Sequence, residues 1–235
     1  TVSNNQVNVC AFEGIEFGDI ENDSVATITI DNNQIISEET GIEFDDIENR
    51  ANANIAITGN TITVAAEEGI FIDDIENATV SNITIANNNI LGAARQGIEF
   101  DLIENNANTT INILNNQISN VGEEGIFIDD IENTATANVN VVANVTAAED
   151  TIALPEPDGD GVRINHTAET DMCLVLDNNT VINPNSDGFE LISNGTGQFQ
   201  VVDLANVTDR NIGSFNPADI ENNDAFVEGT AGTAP

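Results

Sequence analysis

Carboxylate side chains recur along this chain every 27 or 28 residues, and their type and spacing could support metal-ion chemistry. One set consists of glutamates, and two further sets consist of aspartates apart from a single Leu and a single Gly. Clustered oxygen ligands of this kind are preferred by hard cations such as Ca²⁺. The sets are Glu21, Glu48, Glu76, Glu104 and Glu132; Asp19, Asp46, Asp74, Leu102 and Asp130; and Gly18, Asp45, Asp73, Asp101 and Asp129.

These carboxylates predict a cation site on successive repeats of the chain, with Ca²⁺ as the candidate ion. No segment has the compact ligand spacing of an EF-hand loop. A diffuse, solvated acidic surface is therefore the alternative to discrete sites. The predicted metal ligands are Asp19, Asp46, Asp74, Asp130, Glu48 and Glu76.

The elements that carry these carboxylates belong to one motif, Gly-Ile-x-[Phe/Ile]-x-x-Ile-Glu-Asn, which occurs five times. Apolar and polar residues alternate within each unit, and this period of two is typical of strands. A fixed period of this length indicates stacked supersecondary units. We therefore predict an all-β, right-handed parallel β-helix of about 7–8 coils with three short strands per coil. A leucine-rich repeat is the rival fold, but Leu is scarce and no helical segment follows the strands.

Stacking would place equivalent residues about 4.8 Å apart, so that they form columns along the axis. Like charges at this distance repel by roughly 1 kcal/mol per pair even in water. High ionic strength, raised carboxylate pKa values or bound cations must offset this repulsion. A separate column, made of Asn side chains, should form an inward hydrogen-bonded ladder at a turn. Its members are Asn33, Asn60, Asn88, Asn116 and Asn144.

The recurring string Asn-Asn-x-Ile followed by Gly-Ile resembles the β-helix repeats of the pectate-lyase-like superfamily and its surface-protein relatives. The resemblance extends from about Val7 to about Val207. It implies the architecture of the chain and leaves its activity open, because one fold hosts many functions.

One interval of the repeat, from Gly125 to Gly161, is longer than the others and contains a loop at 147–160 rich in Pro, Gly and acidic residues. Asp158, Asp160, Arg163 and His166 lie in or near it. The resemblance implies that polysaccharide-active members build their sites from such loops, although the paired-Asp, Gly-His-Gly and Arg-Ile-Lys motifs of polygalacturonases are absent. The alternative function is therefore polysaccharide binding or cleavage, with a site near 156–166 and 187–190.

Simpler structural roles are also predicted for the residues near this loop. Arg163 should face Glu190 in one column as a cross-strand pair, and His166 should be an isolated surface residue. Two aromatic side chains in the same column, Phe71 and Phe127, should be exposed and could form a contact surface.

The composition limits the possible partners of the chain. Its 235 residues include 41 acidic residues and four Arg or Lys, for a formal net charge of −37. Such a surface repels nucleic acid and anionic lipid. No run of 18 apolar residues is present, so membrane insertion is not expected. Nine Asn-x-Ser/Thr sequons permit glycosylation.

We expect residues 1–215 to form one β-helix domain and residues 216–235 to form a tail or linker. Cys10 and Cys173 should lie too far apart along the axis to form a disulfide. The uncapped ends of the β-helix are expected either to continue into flanking sequence or to self-associate. The even repeats and acidic surface favour a non-enzymatic, extracellular or cell-surface protein, either structural or adhesive. It would be a subunit of a filament or layer, or the stalk of an adhesin, with polysaccharide as a further candidate partner.

Overall fold

The computed structural model describes all residues except 65, 148–158, 168, 183, 185, 215–225 and 230–235. The chain passes repeatedly through three parallel sheets, which we call A, B and C, and adds one strand to each sheet per coil. The predicted all-β parallel β-helix is confirmed, with about seven coils and three strands per coil. The described residues contain very little helix, namely a 3₁₀ turn at Leu204–Asn206 and a short α-helix at Val207–Arg210.

Sheet A has nine described strands and sheets B and C have seven each. The strands of sheet A are Val2–Ser3, Val25–Asp31, Asn52–Thr58, Val80–Ala86, Asn108–Leu114, Thr136–Val142, Asp171–Asp177, Phe199–Val202 and Phe226–Gly229. Those of sheet B are Gln6–Cys10, Gln34–Ser37, Thr61–Val64, Asn89–Ala93, Gln117–Val121, Val145–Ala147 and Thr180–Ile182. Those of sheet C are Ile15–Phe17, Ile42–Ile47, Ile70–Ile75, Ile98–Ile103, Ile126–Ile131, Val162–His166 and Phe189–Ser193.

The division into a domain and a tail remains a prediction. Within the segment 216–235, residues Phe226–Gly229 pair in parallel with Phe199–Val202. The rest of that segment, and most of the loop at 147–160, lie outside the described residues.

The core is a set of aliphatic columns enclosed by the three sheets. Ile55, Ile83 and Ile111 pair in register along sheet A and are 0–2% exposed. Each such Ile stabilises the fold by roughly 1.5–3 kcal/mol through burial. The alternation of inward and outward residues therefore fixes which side chains reach the surface.

The turn from sheet C to sheet A holds the Glu-Asn pair of the motif. In the second copy, Asn49 and Arg50 have φ values of 54° and 66°, and the Ala51 N–H donates to the Glu48 carbonyl at 3.2 Å. Positive φ at both central residues is the signature of a type I′ turn, which Asn tolerates well. The same pair of positive φ values occurs in all five copies of the motif.

The turn from sheet A to sheet B carries the predicted asparagine ladder, which is confirmed and longer than expected. Each interior amide is saturated, as at Asn88, whose Nδ2 donates to the Ile57 carbonyl at 2.9 Å and to Asn116 Oδ1 at 3.0 Å. Its Oδ1 accepts from the N and Nδ2 atoms of Asn60 at 2.9 and 3.0 Å. The ladder consists of Asn5, Asn33, Asn60, Asn88, Asn116, Asn144, Asn179 and Asn211.

The glycine that opens each motif lies where the turn from sheet B meets sheet C. A Cβ atom at Gly97 would lie 2.6 Å from the Gly125 carbonyl oxygen and 2.5 Å from Ile118 Cγ2. Side chains are excluded here because successive coils approach too closely. Cys10 and Cys173 do not form a disulfide with each other, as predicted, and Cys173 is buried whereas Cys10 is half-buried.

Candidate functional site

Over residues 1–147, nearly all of the acidic residues lie on one side of the β-helix, which we call the acidic side. It comprises the outer face of sheet C and the turns that precede and follow that sheet. Among residues 1–147, Asp31 is the only acidic residue on a strand of sheet A or sheet B. The three predicted acidic columns all belong to this side.

The closest carboxylate cluster arises from a local break in the alternation of sheet C. Asp73 and Asp74 are consecutive and both face outward, between the fully buried Ile72 and Ile75. Ligand oxygens of Asp73, Asp74 and Asp101 all lie within 4.8 Å of one another. Burial, followed by repulsion from Asp101, raises the pKa of Asp73 to about 6. Burial and the adjacent Asp73 likewise raise the pKa of Asp74 to about 6.

The predicted metal ligands occupy neighbouring columns, and one of the six is in this cluster. Asp46 pairs with Asp74 in the register of sheet C, and Leu102 separates Asp74 from Asp130. Asp19 is exposed in the first coil, and Glu48 and Glu76 follow sheet C in the turn.

Asp73 and Asp101 belong to the third acidic column and not to the predicted ligand set. The signal that identifies Asp73 is the Asp-Asp pair between two inward apolar residues, and the 28-residue repeat places Asp101 beside it on the next coil. Such a pair directs two adjacent carboxylates outward on the same coil.

The glutamate column after sheet C is paired in part with amides from the type I′ turns. Asn105 Nδ2 donates to Glu76 Oε2 at 3.3 Å, and Asn133 Nδ2 donates to Glu104 Oε2 at 2.7 Å. These contacts offset some of the repulsion within the column. An open groove of about 560 Å³ runs along these turns and is lined by Asn22, Asn49, Arg50, Asn77, Ala78, Asn105 and Asn106.

The other edge of the acidic side contains carboxyl groups that are almost fully buried. Glu68 is 2% exposed, accepts a hydrogen bond from Thr40 Oγ1 at 3.1 Å and forms an ion pair with Arg95 at 2.7 Å. Glu124 is 5% exposed and accepts from Gln96 Nε2 at 3.1 Å. Burial raises the pKa of Glu68 and of Glu124 despite these partners.

Glu99 is the least compensated of these groups. It is 4% exposed, and its Oε2 atom has no hydrogen-bond partner in the described part of the chain. Burial, followed by repulsion from Glu68, raises the pKa of Glu99 to about 8. In the same column, burial and then Glu13 raise the pKa of Glu43 to about 7. Both groups can therefore hold a proton near neutral pH.

The region of the alternative, polysaccharide-directed site is internally paired in its described part. Arg163 Nε lies 3.2 Å from Glu190 Oε2, which confirms the predicted cross-strand pair, and Arg163 Nη1 lies 3.6 Å from Glu124 Oε1. Asp160 is buried, and its Oδ1 accepts from the Asp187 N–H at 2.7 Å. Residues 156–158 of the predicted site, including Asp158, lie outside the described residues.

The predicted surface position of His166 is wrong, because the side chain is fully buried. Its Nε2 lies 2.9 Å from the Thr170 carbonyl, and its Nδ1 lies 3.0 Å from Ser193 Oγ. A carbonyl only accepts, so the proton is on Nε2 and Nδ1 accepts from the Ser193 hydroxyl. Burial lowers the pKa of His166 and favours this neutral form.

The predicted exposure of the two phenylalanines is also wrong. Phe127 is 9% exposed and Phe71 is half-buried. They flank Glu99 in its column, and the Arg163 guanidinium lies 5.5 Å from the centre of the Phe127 ring. The two rings therefore belong to a packed column of mixed side chains on sheet C.

No protein-family model matches the chain, and comparisons with curated proteins and with solved structures likewise give no match. The resemblance to the pectate-lyase-like superfamily is thus supported as a parallel β-helix architecture, with no matching family model. No helix among the described residues is both long enough and apolar enough to cross a membrane.

Proposed function

We propose that this chain is a non-enzymatic structural or adhesive β-helix of the extracellular space or cell surface, whose acidic side takes up Ca²⁺. It would be a subunit of a surface filament or layer, or the stalk of an adhesin. One observation carries the proposal. The acidic columns repeat from coil to coil, whereas an enzyme concentrates its unusual groups at one place. Kinship with surface-protein relatives of the pectate-lyase-like superfamily and self-association through the ends of the β-helix are parts of this proposal.

The electrostatics of the acidic side support the uptake of cations. Carboxylates at stacking distance repel one another, and this repulsion adds to burial in raising the pKa values of Asp73 and Asp74 to about 6. A divalent cation at Asp73, Asp74 and Asp101 would replace repulsion with attraction and supply the charge that the sequence lacks. Hard cations bind such oxygen clusters with dissociation constants of about 10⁻⁴–10⁻³ M in extracellular modules.

The pairing near the alternative site argues for a structural role there. His166 uses both ring nitrogens within the fold, and Arg163 contacts two carboxylates and a ring. The polar atoms of these side chains are therefore already bound to other residues of the fold. Polysaccharide remains a candidate partner of the surface.

A calcium titration at constant ionic strength tests the cation component. At about ten times the dissociation constant, binding at one site adds about 1.4 kcal/mol to the free energy of unfolding. That corresponds to a rise in Tm of about 3–6 °C for a domain of this size. Circular dichroism can follow the unfolding.

Asp101→Asn is the test variant, and Asp31→Asn on sheet A is its matched control. The calcium-induced rise in Tm should shrink in the first and persist in the second, whatever their Tm values without calcium. An unchanged Tm in the wild-type protein would contradict the cation proposal.

Electron microscopy of the purified protein in calcium tests the structural role. End-to-end polymers support it. Monodisperse protein that degrades glycans would instead favour the polysaccharide-cleaving alternative.

A further inference from the structure

The side of the β-helix opposite the acidic side has no charge over four consecutive coils. We call it the neutral side and define it as residues 52–64, 80–93, 108–121 and 136–147, which form the strands of sheets A and B and the turns between them. None of these residues is Asp, Glu, Lys, Arg or His. In a chain with a net charge of −37, such a surface needs a physical explanation.

The outer face of sheet A on this side is a regular array of amides and hydroxyls. Asn82 and Thr110 are paired neighbours in one column, and Thr84, Asn112 and Asn140 follow one another in the next. The Asn140 amide donates to Asn112 Oδ1 at 2.9 Å, so that parts of the array are ordered by their own contacts. A depression of about 150 Å³, flanked by Thr and Asn side chains, lies around Ala56, where the hydroxyl column is interrupted.

Exposed apolar side chains are also found on sheets A and B and not on the described strands of sheet C. Val80 is 51% exposed on sheet A, while Leu91 and Val145 are 40% and 37% exposed on sheet B. Val25, Ile36 and Ile182 extend this set onto the neighbouring coils. Covering these side chains would gain apolar burial without removing any charge from water.

Charge identifies a second copy of this chain as the occupant. Two copies that met through their acidic sides would bring carboxylates into contact. Two copies that meet through their neutral sides keep their acidic sides at least about 20 Å apart, since each sheet C lies about 10 Å behind its own neutral face. That separation exceeds the Debye length of about 8 Å at physiological ionic strength.

The size of the face is close to what a specific pair requires. The four strands of sheet A on the neutral side span about 19 Å along the axis and about 23 Å along the strands, which gives about 440 Å². The shorter strands of sheet B in the same coils bring the total to about 700 Å², compared with about 800 Å² per partner in standard interfaces.

We propose that the neutral side is a lateral self-association surface, which pairs two copies of this chain side by side when salt screens their acidic sides. The inference rests on the proposed structural function and adds the surface through which neighbouring β-helices meet. Because the interface itself is uncharged, salt strengthens the pairing by reducing the long-range repulsion between the copies.

Sedimentation velocity on the full chain tests the proposal. The protein is produced without N-glycosylation, because Asn82 begins a sequon on this face. The protein is examined with EDTA at pH 8 and at NaCl concentrations from about 0.05 M to about 1 M, where the Debye length falls to about 3 Å. We expect monomers at low salt and dimers at high salt. Monomers throughout this range would overturn the proposal.

Two substitutions that add the same charge distinguish the neutral side from a general charge effect. Asn82→Asp lies on the neutral side, and Asn106→Asp lies in a turn of the acidic side, with both positions exposed. At high salt, Asn82→Asp should weaken pairing about tenfold or more, while Asn106→Asp should leave it within about twofold. Equal weakening by the two substitutions would contradict the assignment. Calcium-dependent stabilisation without lateral pairing would preserve the proposed cation uptake and overturn only this inference.

Discussion

A decrease in pH from about 8 to about 6 should stabilise this protein against unfolding, although many proteins change little in stability over this range. Glu99 is the residue at which this effect is best tested. Its pKa is raised from an ordinary 4.5 to about 8, chiefly by burial. The folded chain therefore binds a proton at Glu99 more tightly than the unfolded chain does. The stabilisation is fully present below about pH 4.5 and is lost as the pH rises through about 8.

The magnitude of the effect follows from the difference between the two pKa values. For Glu99 alone, the free energy of unfolding should fall by about 2 kcal/mol between pH 6 and pH 8. Glu43, whose pKa is raised to about 7, acts in the same direction with a smaller effect because it is half-exposed to solvent. His166, whose pKa is lowered, acts in the opposite direction.

The variant Glu99→Gln replaces the titrating carboxyl with a neutral group of the same shape. Urea unfolding is measured at fixed ionic strength at pH 6 and pH 8. Between these pH values the free energy of unfolding of the variant should fall by about 2 kcal/mol less than that of the wild-type protein, and at pH 8 the variant should be more stable than the wild type. The control Glu21→Gln, at an exposed position on the same side, should keep the wild-type dependence. Since His166 is common to all three proteins, its contribution cancels. If Glu99→Gln and wild type had the same pH dependence, the assignment of a protonated, buried Glu99 would be refuted.

Two further predictions concern the stacking of the coils. Asn88→Ala removes four hydrogen bonds from the interior of the asparagine ladder and should lower the free energy of unfolding in urea by about 4 kcal/mol. Asn5→Ala, at the first position of the ladder, should lower it by no more than about 1 kcal/mol, and equal losses would contradict a cooperative ladder. Gly97→Ala should lower Tm by several degrees because its Cβ would meet the next coil. Gly18→Ala, where the nearest atom lies 3.9 Å away, should leave Tm within about 1 °C. An unchanged Tm for Gly97→Ala would show that the coils can move apart.

The architecture was predictable from the sequence because its determinants are local and repeated. The period of 27 or 28 residues identifies the coil, and the alternation of Ile with polar residues identifies the inward face. From these two facts follow the asparagine ladder, the separation of the cysteines and the pair between Arg163 and Glu190. All of these depend on register alone, which a repeat specifies completely.

The environment of outward residues was not predictable in the same way. Glu99 and Phe127 face outward yet are almost fully buried, and an alternating pattern says only that a residue faces in or out. The error at His166 is different, because its side chain continues the inward alternation of Val162 and Ile164 and lies in register with the buried Ile131. The partners of its ring nitrogens, Thr170 and Ser193, lie on two different coils and are not connected by any motif.

The orientation of the strands across the axis has a mechanical consequence. The backbone hydrogen bonds run parallel to the axis, so tension applied along it loads the bonds between coils and separates one coil from the next in sequence. Each released coil of 28 residues replaces about 4.8 Å of stacked length with about 90 Å of extended chain. Under a pulling force the β-helix would therefore lengthen in discrete steps, each nearly twenty times the spacing between its coils. The separation of the coils would dissipate the load before the covalent backbone is stretched.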